Sequence, residues 1–210
     1  MWSGLKNEIL IENLTKYYGT ECVLNELTLS LSAGKTYCFM APSGAGKTTL
    51  FRILLGLEQP DSGCIRKPEH MRITAVFQED RLLEGYTALQ NLRFVTGRRY
   101  SPGELTDILT RILPADSLKK PVCEFSGGMK RRTAILRAIL APSDCIIMDE
   151  PFTGLDTETR EAVIHLILEY TRGKLLLVST HNEEDAALLS AETIRLTPKS
   201  PGALPESWRP

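Results

Sequence analysis

Apolar and polar residues alternate from Glu8 to Leu14, the period of a half-buried strand, and Leu27, Leu29 and Leu31 repeat it. Tyr37–Met40 is short and apolar and runs straight into a Gly-rich loop. Gly46–Leu55 then carries apolar residues at helical spacing, with Gly56 as its stop. Pro60-Asp61-Ser62-Gly63 reads as a turn and Ile73–Phe77 as a strand. Ala88–Thr96 and Glu104–Leu113 read as helices separated by the turn signal Ser101-Pro102-Gly103. Ser126 opens a helix to about Leu140, stopped by Ala141-Pro142. Cys145–Met148 is a fully apolar strand ending at Asp149, followed by a helix from about Glu158, the strand Lys174–Ser179 and the helix Glu183–Leu189. Alternating strands and helices predict an α/β core with a mixed, partly parallel sheet and an antiparallel β region near the N-terminus. The stretch from about 81 to 124 breaks the alternation and reads as a small α-helical lobe. The domain is expected over 1–197, with 198–210, rich in Pro, Ser and Gly, as a loose tail.

Composition narrows the function classes. The chain has 210 residues, 42% hydrophobic and 24% charged, which suits one domain with a sizeable core. A net charge of −1 speaks against a large nucleic-acid footprint, which needs a basic surface, so no nucleic-acid partner is expected. Cys22, Cys38, Cys64, Cys123 and Cys145 are scattered with no CxxC pair, and are expected to be reduced, small hydrophobes. Met1–Asn7 contains no apolar core of a signal peptide, and no apolar run reaches the ~18 residues of a membrane span. Any membrane role would need spans from another chain.

The chemistry lies in two glycine-based cradles. The first is Ala41-Pro42-Ser43-Gly44-Ala45-Gly46-Lys47-Thr48-Thr49, set between a predicted strand and a predicted helix. A helix N-terminus offers unpaired N–H groups and a partial positive charge, so it attracts phosphate. Gly44 and Gly46 would let the backbone wrap phosphates, Lys47 would reach the β- and γ-phosphates, and the Thr48 hydroxyl would bind Mg²⁺. Ala41 stands where the G-x-x-x-x-G-K-[ST] pattern has Gly. Pro42 pushes its predecessor towards extended geometry, which Ala tolerates, so the loop is expected to form. The strand 145–149 complements it by delivering Asp149 and Glu150 to its C-terminal end, where ligands of α/β proteins sit. Asp149 would hold Mg²⁺ through water, and Glu150 would polarise an attacking water.

The second cradle is Phe125-Ser126-Gly127-Gly128-Met129. Ser126 and the glycine N–H groups form either an anion site or simply a helix cap. Read with the first cradle, the ordered set resembles the ATP-binding subunits of ABC transporters over about Ile9 to Leu196. Ala41–Thr49 matches the family's Walker A loop, Gln78 the Q-loop, Phe125–Met129 the signature and Ile146–Glu150 the Walker B strand. Thr153-Gly154-Leu155-Asp156 matches the D-loop, His181 the switch histidine, and Tyr18 the aromatic that stacks on adenine. Ala41, Phe125, Met129 and Thr153-Gly154 depart from the common pattern. Phe77–Leu83 is similar to importers for nitrate, sulfonate and taurine.

The resemblance implies a P-loop NTPase core and an ATPase that drives solute transport by ATP-dependent closure of a dimer. Ser43, Gly44, Ala45, Gly46, Lys47, Thr48 and Thr49 would bind ATP in one copy, and Ser126, Gly127 and Gly128 of the other would close on the same nucleotide. Gln78 would sense Mg²⁺ and the attacking water, Asp156 would connect the two sites across the interface, and His181 would hold the γ-phosphate. Partners implied are a second ATPase subunit, identical or not, transmembrane permease subunits and a solute-binding protein, with the chain peripheral on the cytoplasmic face of the membrane. Competing readings are a soluble ABC-type ATPase with a cell-division or repair partner, a small P-loop kinase and a nucleotide-binding regulator without turnover. The kinase reading gives no role to Ser126–Gly128 or His181.

Overall fold

A computed structural model describes residues 8–196. The N-terminal stretch Met1–Asn7 and the tail expected at 198–210 lie outside the described residues. Strands β1 (Glu8–Tyr18) and β2 (Glu21–Ser32) form a hairpin closed at Gly19-Thr20, and β1 also pairs antiparallel with β4 (Ser62–Arg66). The alternation along β1 breaks where Ile9 and Ile11 are followed by Leu14, all three buried. Asn13 resolves the break: it adopts φ 49°, the register slips between Ile11 and Leu14, and the strand returns to phase with Leu14 inward.

The second sheet runs β5 (Ile73–Val76), β6 (Cys145–Asp149), β7 (Leu175–Ser179), β3 (Thr36–Met40), β8 (Glu192–Arg195). Every pairing in it is parallel, so the expected mixed sheet is in fact a parallel sheet beside a separate antiparallel one. Parallel strands are covered on both faces, which is why their sequences are unbroken apolar runs. Tyr37 and Phe39, Cys145 and Ile147, and Leu175 and Leu177 face one core with Ile9, Ile11, Leu14 and helix α1 (Lys47–Leu54). Phe39 and Phe51 meet edge to face there at 5.4 Å. The alternate residues Cys38, Met40, Ile146, Met148, Leu176 and Val178 face a second core with α4 (Gly127–Leu140) and α5 (Thr157–Tyr170).

Between β5 and α4 lie α2 (Ala88–Thr96), α3 (Pro102–Thr110) and 3₁₀ turns at Ala115–Ser117 and Val122–Glu124. Ser101-Pro102-Gly103 is the start of α3 rather than a free turn. The Ser101 hydroxyl accepts from Glu104 N at 3.2 Å and the Glu104 carboxylate accepts from Ser101 N at 2.7 Å, a capping box with Pro in the first turn. That box starts the helix early, and it ends at Thr110 instead of Leu113. The turn expected at 60–63 passes directly into β4, and β8 follows α6 (Glu183–Leu188).

Cys38 and Cys145 are buried, and burial pushes both thiols up to about 12, as inert core residues require. Cys64 and Cys123 are exposed and Cys22 is half-buried, so the small-hydrophobe expectation holds only for Cys38 and Cys145. No helix among the described residues is long and apolar enough to cross a membrane.

Candidate active site

The loop 41–46 carries the chain from the end of β3 to α1. Gly44 and Gly46 adopt φ 82° and 86°, the left-handed region that glycine occupies without strain. Gly46 is needed twice over, because a Cβ there would lie 2.6 Å from the Val23 carbonyl oxygen on β2. As N-cap it offers no side chain to the N–H groups of the first turn, and that turn contains no acidic residue. The helix start is therefore an uncompensated set of donors, which suits an anion. Ala41 is absent from the left-handed residues, so the loop forms with alanine where the motif has glycine. The Ala41 carbonyl accepts from Lys47 Nζ at 2.7 Å, and the buried ammonium lies 3.8 Å from Glu150 Oε1.

Opposite the loop, parallel pairing sets Asp149 on β6 beside Ser179 on β7. Asp149 is buried, and its two oxygens accept from the hydroxyls of Thr48 at 2.7 Å and Ser179 at 2.6 Å. Ser179 Oγ also accepts from Glu150 N at 2.8 Å. Glu150 adopts φ 50° and places Oε1 2.8 Å from His181 Nε2. Burial pushes the Glu150 carboxyl above the ordinary carboxylate range, against the pull of His181 and Lys47, while Asp149 and Asp185 add to the rise. A half-buried carboxylate with raised proton affinity has the character of a general base.

One cavity of about 180 Å³ is lined by Ser43, Gly44, Ala45, Gly46, Lys47, Thr48, Thr49, Gln78, Glu150 and His181. Those sequence-predicted residues thus come together, with Asp149 behind Thr48. Tyr18 is linked to this group through Thr49, its hydroxyl 3.5 Å from Thr49 Oγ1 and donating to Glu58 at 2.5 Å. The second cradle does not line the cavity. Ser126 caps α4 by accepting from Met129 N at 3.3 Å, and a Cβ on Gly128 would face Leu155 and Gly154. Asp156 caps α5, accepting from Thr159 N at 2.9 Å and from its hydroxyl at 2.8 Å, and these bonds hold its carboxyl below the usual range.

No cluster of three or more His, Cys, Asp or Glu fit to hold a metal exists among the described residues. The Thr48 hydroxyl and the Asp149 carboxylate offer two oxygens. That small oxygen set fits Mg²⁺, which keeps waters and takes phosphate oxygens rather than a full protein cage.

Several residues of the site were not foreseen. Ser179 ends an apolar run and acts only through the β6–β7 register. Arg131 on α4 donates to Phe77 O at 2.5 Å and to Gln78 O, and its Nε lies 3.2 Å from Asp80. Arg137 donates to Arg81 O at 2.8 Å and Asp80 O at 3.2 Å. The loop that carries Gln78 is thus fastened to the helix that begins at the second cradle.

A family model described as ABC transporter matches residues 24–153. Nod factor export ATP-binding protein I of Ralstonia nicotianae is 36% identical over 206 residues, covering 87% of this chain and 62% of that protein. The protein of the same name from Cupriavidus metallidurans is 36% identical over 200 residues, covering 85% and 64%. The chain spans about three fifths of the length of these relatives. Among solved structures, a dimeric post-hydrolysis state of an ATP-binding cassette bound to ADP and Pi aligns with a TM-score of 0.78 at 25% identity, over 90% of this chain and 94% of that one. A bacterial Atm1-family ABC exporter with ATP bound shares the fold at a TM-score of 0.76 and 21% identity, over 90% of this chain and 36% of that one.

Proposed function

This chain belongs to the ABC transporter family, as a member of its ATP-binding cassettes, and from that premise we propose that it hydrolyses ATP to drive solute movement through a membrane partner. The observation that carries the reading is the single cavity in which an uncapped helix start, Lys47, Thr48, Glu150 and His181 converge, with Asp149 bonded to Thr48. Phosphoryl transfer needs positioning and charge neutralisation more than covalent chemistry, and this cavity offers both. The loop N–H groups and Lys47 bind the phosphates. Thr48, Asp149 and Gln78 would hold Mg²⁺, which would neutralise charge on the phosphate oxygens. Glu150 orients the attacking water and takes its proton, and His181 holds the γ-phosphate. Tyr18 stacks on the base.

Ser126, Gly127 and Gly128 lie outside the cavity, which supports their serving a nucleotide held by a second copy or a related subunit, with Asp156 at that interface. We assign the cassette to 1–197, with a helical lobe at about 81–124. The lobe bears exposed Leu83, Tyr86 and Phe94, the last two in edge-to-face contact at 5.2 Å. Phe94 is 60% exposed. An apolar patch next to the Gln78 loop suits a permease subunit, and it supports placement on the cytoplasmic face of the membrane.

The names of the relatives support export. A second reading, import of a small oxyanion with a solute-binding protein, is supported by Phe77–Leu83 alone. A soluble cassette with a cell-division or repair partner has no observation in its favour. The test is Mg²⁺-dependent phosphate release from ATP without any acceptor. Turnover that Lys47→Ala abolishes is expected; silence of the wild-type chain, alone and with its membrane partner, defeats the proposal.

A further inference from the structure

His181 lies 2.8 Å from Glu150, yet its side chain is 55% exposed, so its aim depends on what grips the backbone around it. Thr180 and Asn182 flank it. The buried Thr180 hydroxyl accepts from Asn182 N at 3.1 Å and donates to Asp185 Oδ2 at 2.5 Å. One hydroxyl therefore ties both neighbours of His181 to the first turn of α6.

Asp185 is 2% exposed. A carboxylate so buried needs a countercharge, since an unpaired buried charge is strongly destabilising. Arg160 on α5 supplies it: one guanidinium nitrogen lies 3.4 Å from Asp185 Oδ1 and another donates to Glu184 at 2.9 Å. Among the described residues Asp185 Oδ1 has no hydrogen-bond partner, so this ion pair is its compensation. The Arg160 side chain is itself only 15% exposed. Arg160, Asp185 and Thr180 line a cavity of about 220 Å³ together with His181 and Glu150.

We infer that Arg160 is a positioning residue of the hydrolytic centre, fixing the His181 loop against Glu150 through Asp185 and the Thr180 hydroxyl. The inference rests on the proposed ATPase reading and deepens it. Arg160 also lies one turn into the helix capped by Asp156, its N–H bonded to Asp156 O at 2.9 Å. A shift of that helix start thus reaches His181 by a chain of named contacts.

A purely structural role would lower the folded fraction and leave turnover per folded molecule intact. A positioning role lowers kcat, spares ATP affinity and needs His181. The full chain is tested as Arg160→Gln, Arg160→Lys and Thr180→Val, each alone and combined with His181→Ala. Readouts are kcat, binding of a fluorescent ATP analogue and amide hydrogen exchange at Asn182. Arg160→Gln is expected to lower kcat about 10- to 100-fold, the scale of a small misplacement, with analogue binding retained. Arg160→Lys recovers part of the loss, because it restores charge without the planar fork. Thr180→Val reproduces the loss, both variants speed Asn182 exchange, and neither costs more in the His181→Ala background. Losses that multiply with that of His181→Ala, or unchanged Asn182 exchange, overturn the inference. If Arg160→Gln does not fold, Thr180→Val decides by the same readouts. If the wild-type chain releases no phosphate, alone and with its membrane partner, the ATPase reading fails, and the exchange data still decide the link.

Discussion

Glu150 adopts φ 50°, a conformation that costs a residue with a Cβ on the order of 1–3 kcal/mol. The hydrogen bond from its N–H to Ser179 holds it there, and the reward is a carboxylate aimed at His181 instead of along the strand. Strain at a half-buried acid beside Lys47 and His181 points to chemistry. Glu150→Gln should keep the shape and lose the base, lowering phosphate release at least about 100-fold, while ATP still binds. Unchanged turnover would show that Glu150 is not the base. The same variant has a stability signature. A carboxyl whose folded pKa is raised binds its proton more tightly folded than unfolded, so stability falls as pH rises from the ordinary value through the folded one. Glu150→Gln should therefore unfold at a higher temperature than wild type at neutral pH, with the gap closing on acidification towards pH ~4. Lys47, Thr48, Asp149 and Glu150 were legible in the sequence because each sits beside a glycine loop or a strand end that states its setting. Ser179, Arg131 and Arg160 were not, since each acts on a residue distant in the chain, through strand register or helix packing.

At the scale of elements, the buried strands were the plainest to read. An unbroken apolar run can only be covered on both faces, and β3, β6 and β7 are. Elements near the sheet edges were less legible. β4 and β8 carry Ser, Gly, Glu and Arg, and they are strands because β1 and β3 offer them a partner, not because of their own pattern. Asn13 hid the length of β1, because one bulged residue inverts every later inside–outside assignment. The start of α3 was misplaced for a related reason: Ser-Pro-Gly signals a turn and a helix entry alike, and only Glu104 reaching back to Ser101 settles which. Ser101→Ala should remove that cap at a cost of about 1 kcal/mol, measured by urea unfolding. Ser101 lies in the lobe, outside the cavity of the active site, so ATP turnover per folded molecule should be unchanged. A fall in turnover with no fall in stability would place the lobe in the catalytic step.

At the scale of the whole molecule, the issue is why one chain carries two glycine-based loops at helix starts. Each starts a helix with no acidic residue in its first turn, yet only the first opens onto the cavity of Lys47 and Glu150. The second cradle sits beside Gly154 and Leu155, and its exposed Ser126 and Gly127 use none of that cavity. If the second loop is also an anion site, as proposed, a second chain would bring its own nucleotide to it. On that proposal closure would depend on nucleotide, and loss of the terminal phosphate would favour opening. Ser126→Arg separates this picture from a merely structural cap. A long cation at Ser126 should bar a second chain, so hydrolysis should fall to background while a dilute, monomeric sample binds ATP with near wild-type affinity by equilibrium dialysis. In the Glu150→Gln background, ATP should drive dimerisation in size-exclusion chromatography, and adding Ser126→Arg should abolish it. Ser126→Ala supplies the control: it loses the cap, about 1 kcal/mol of stability, but should still dimerise. If Ser126→Arg instead destroys ATP binding by the monomer, the two cradles serve one nucleotide within one chain, and the shared-site arrangement is wrong.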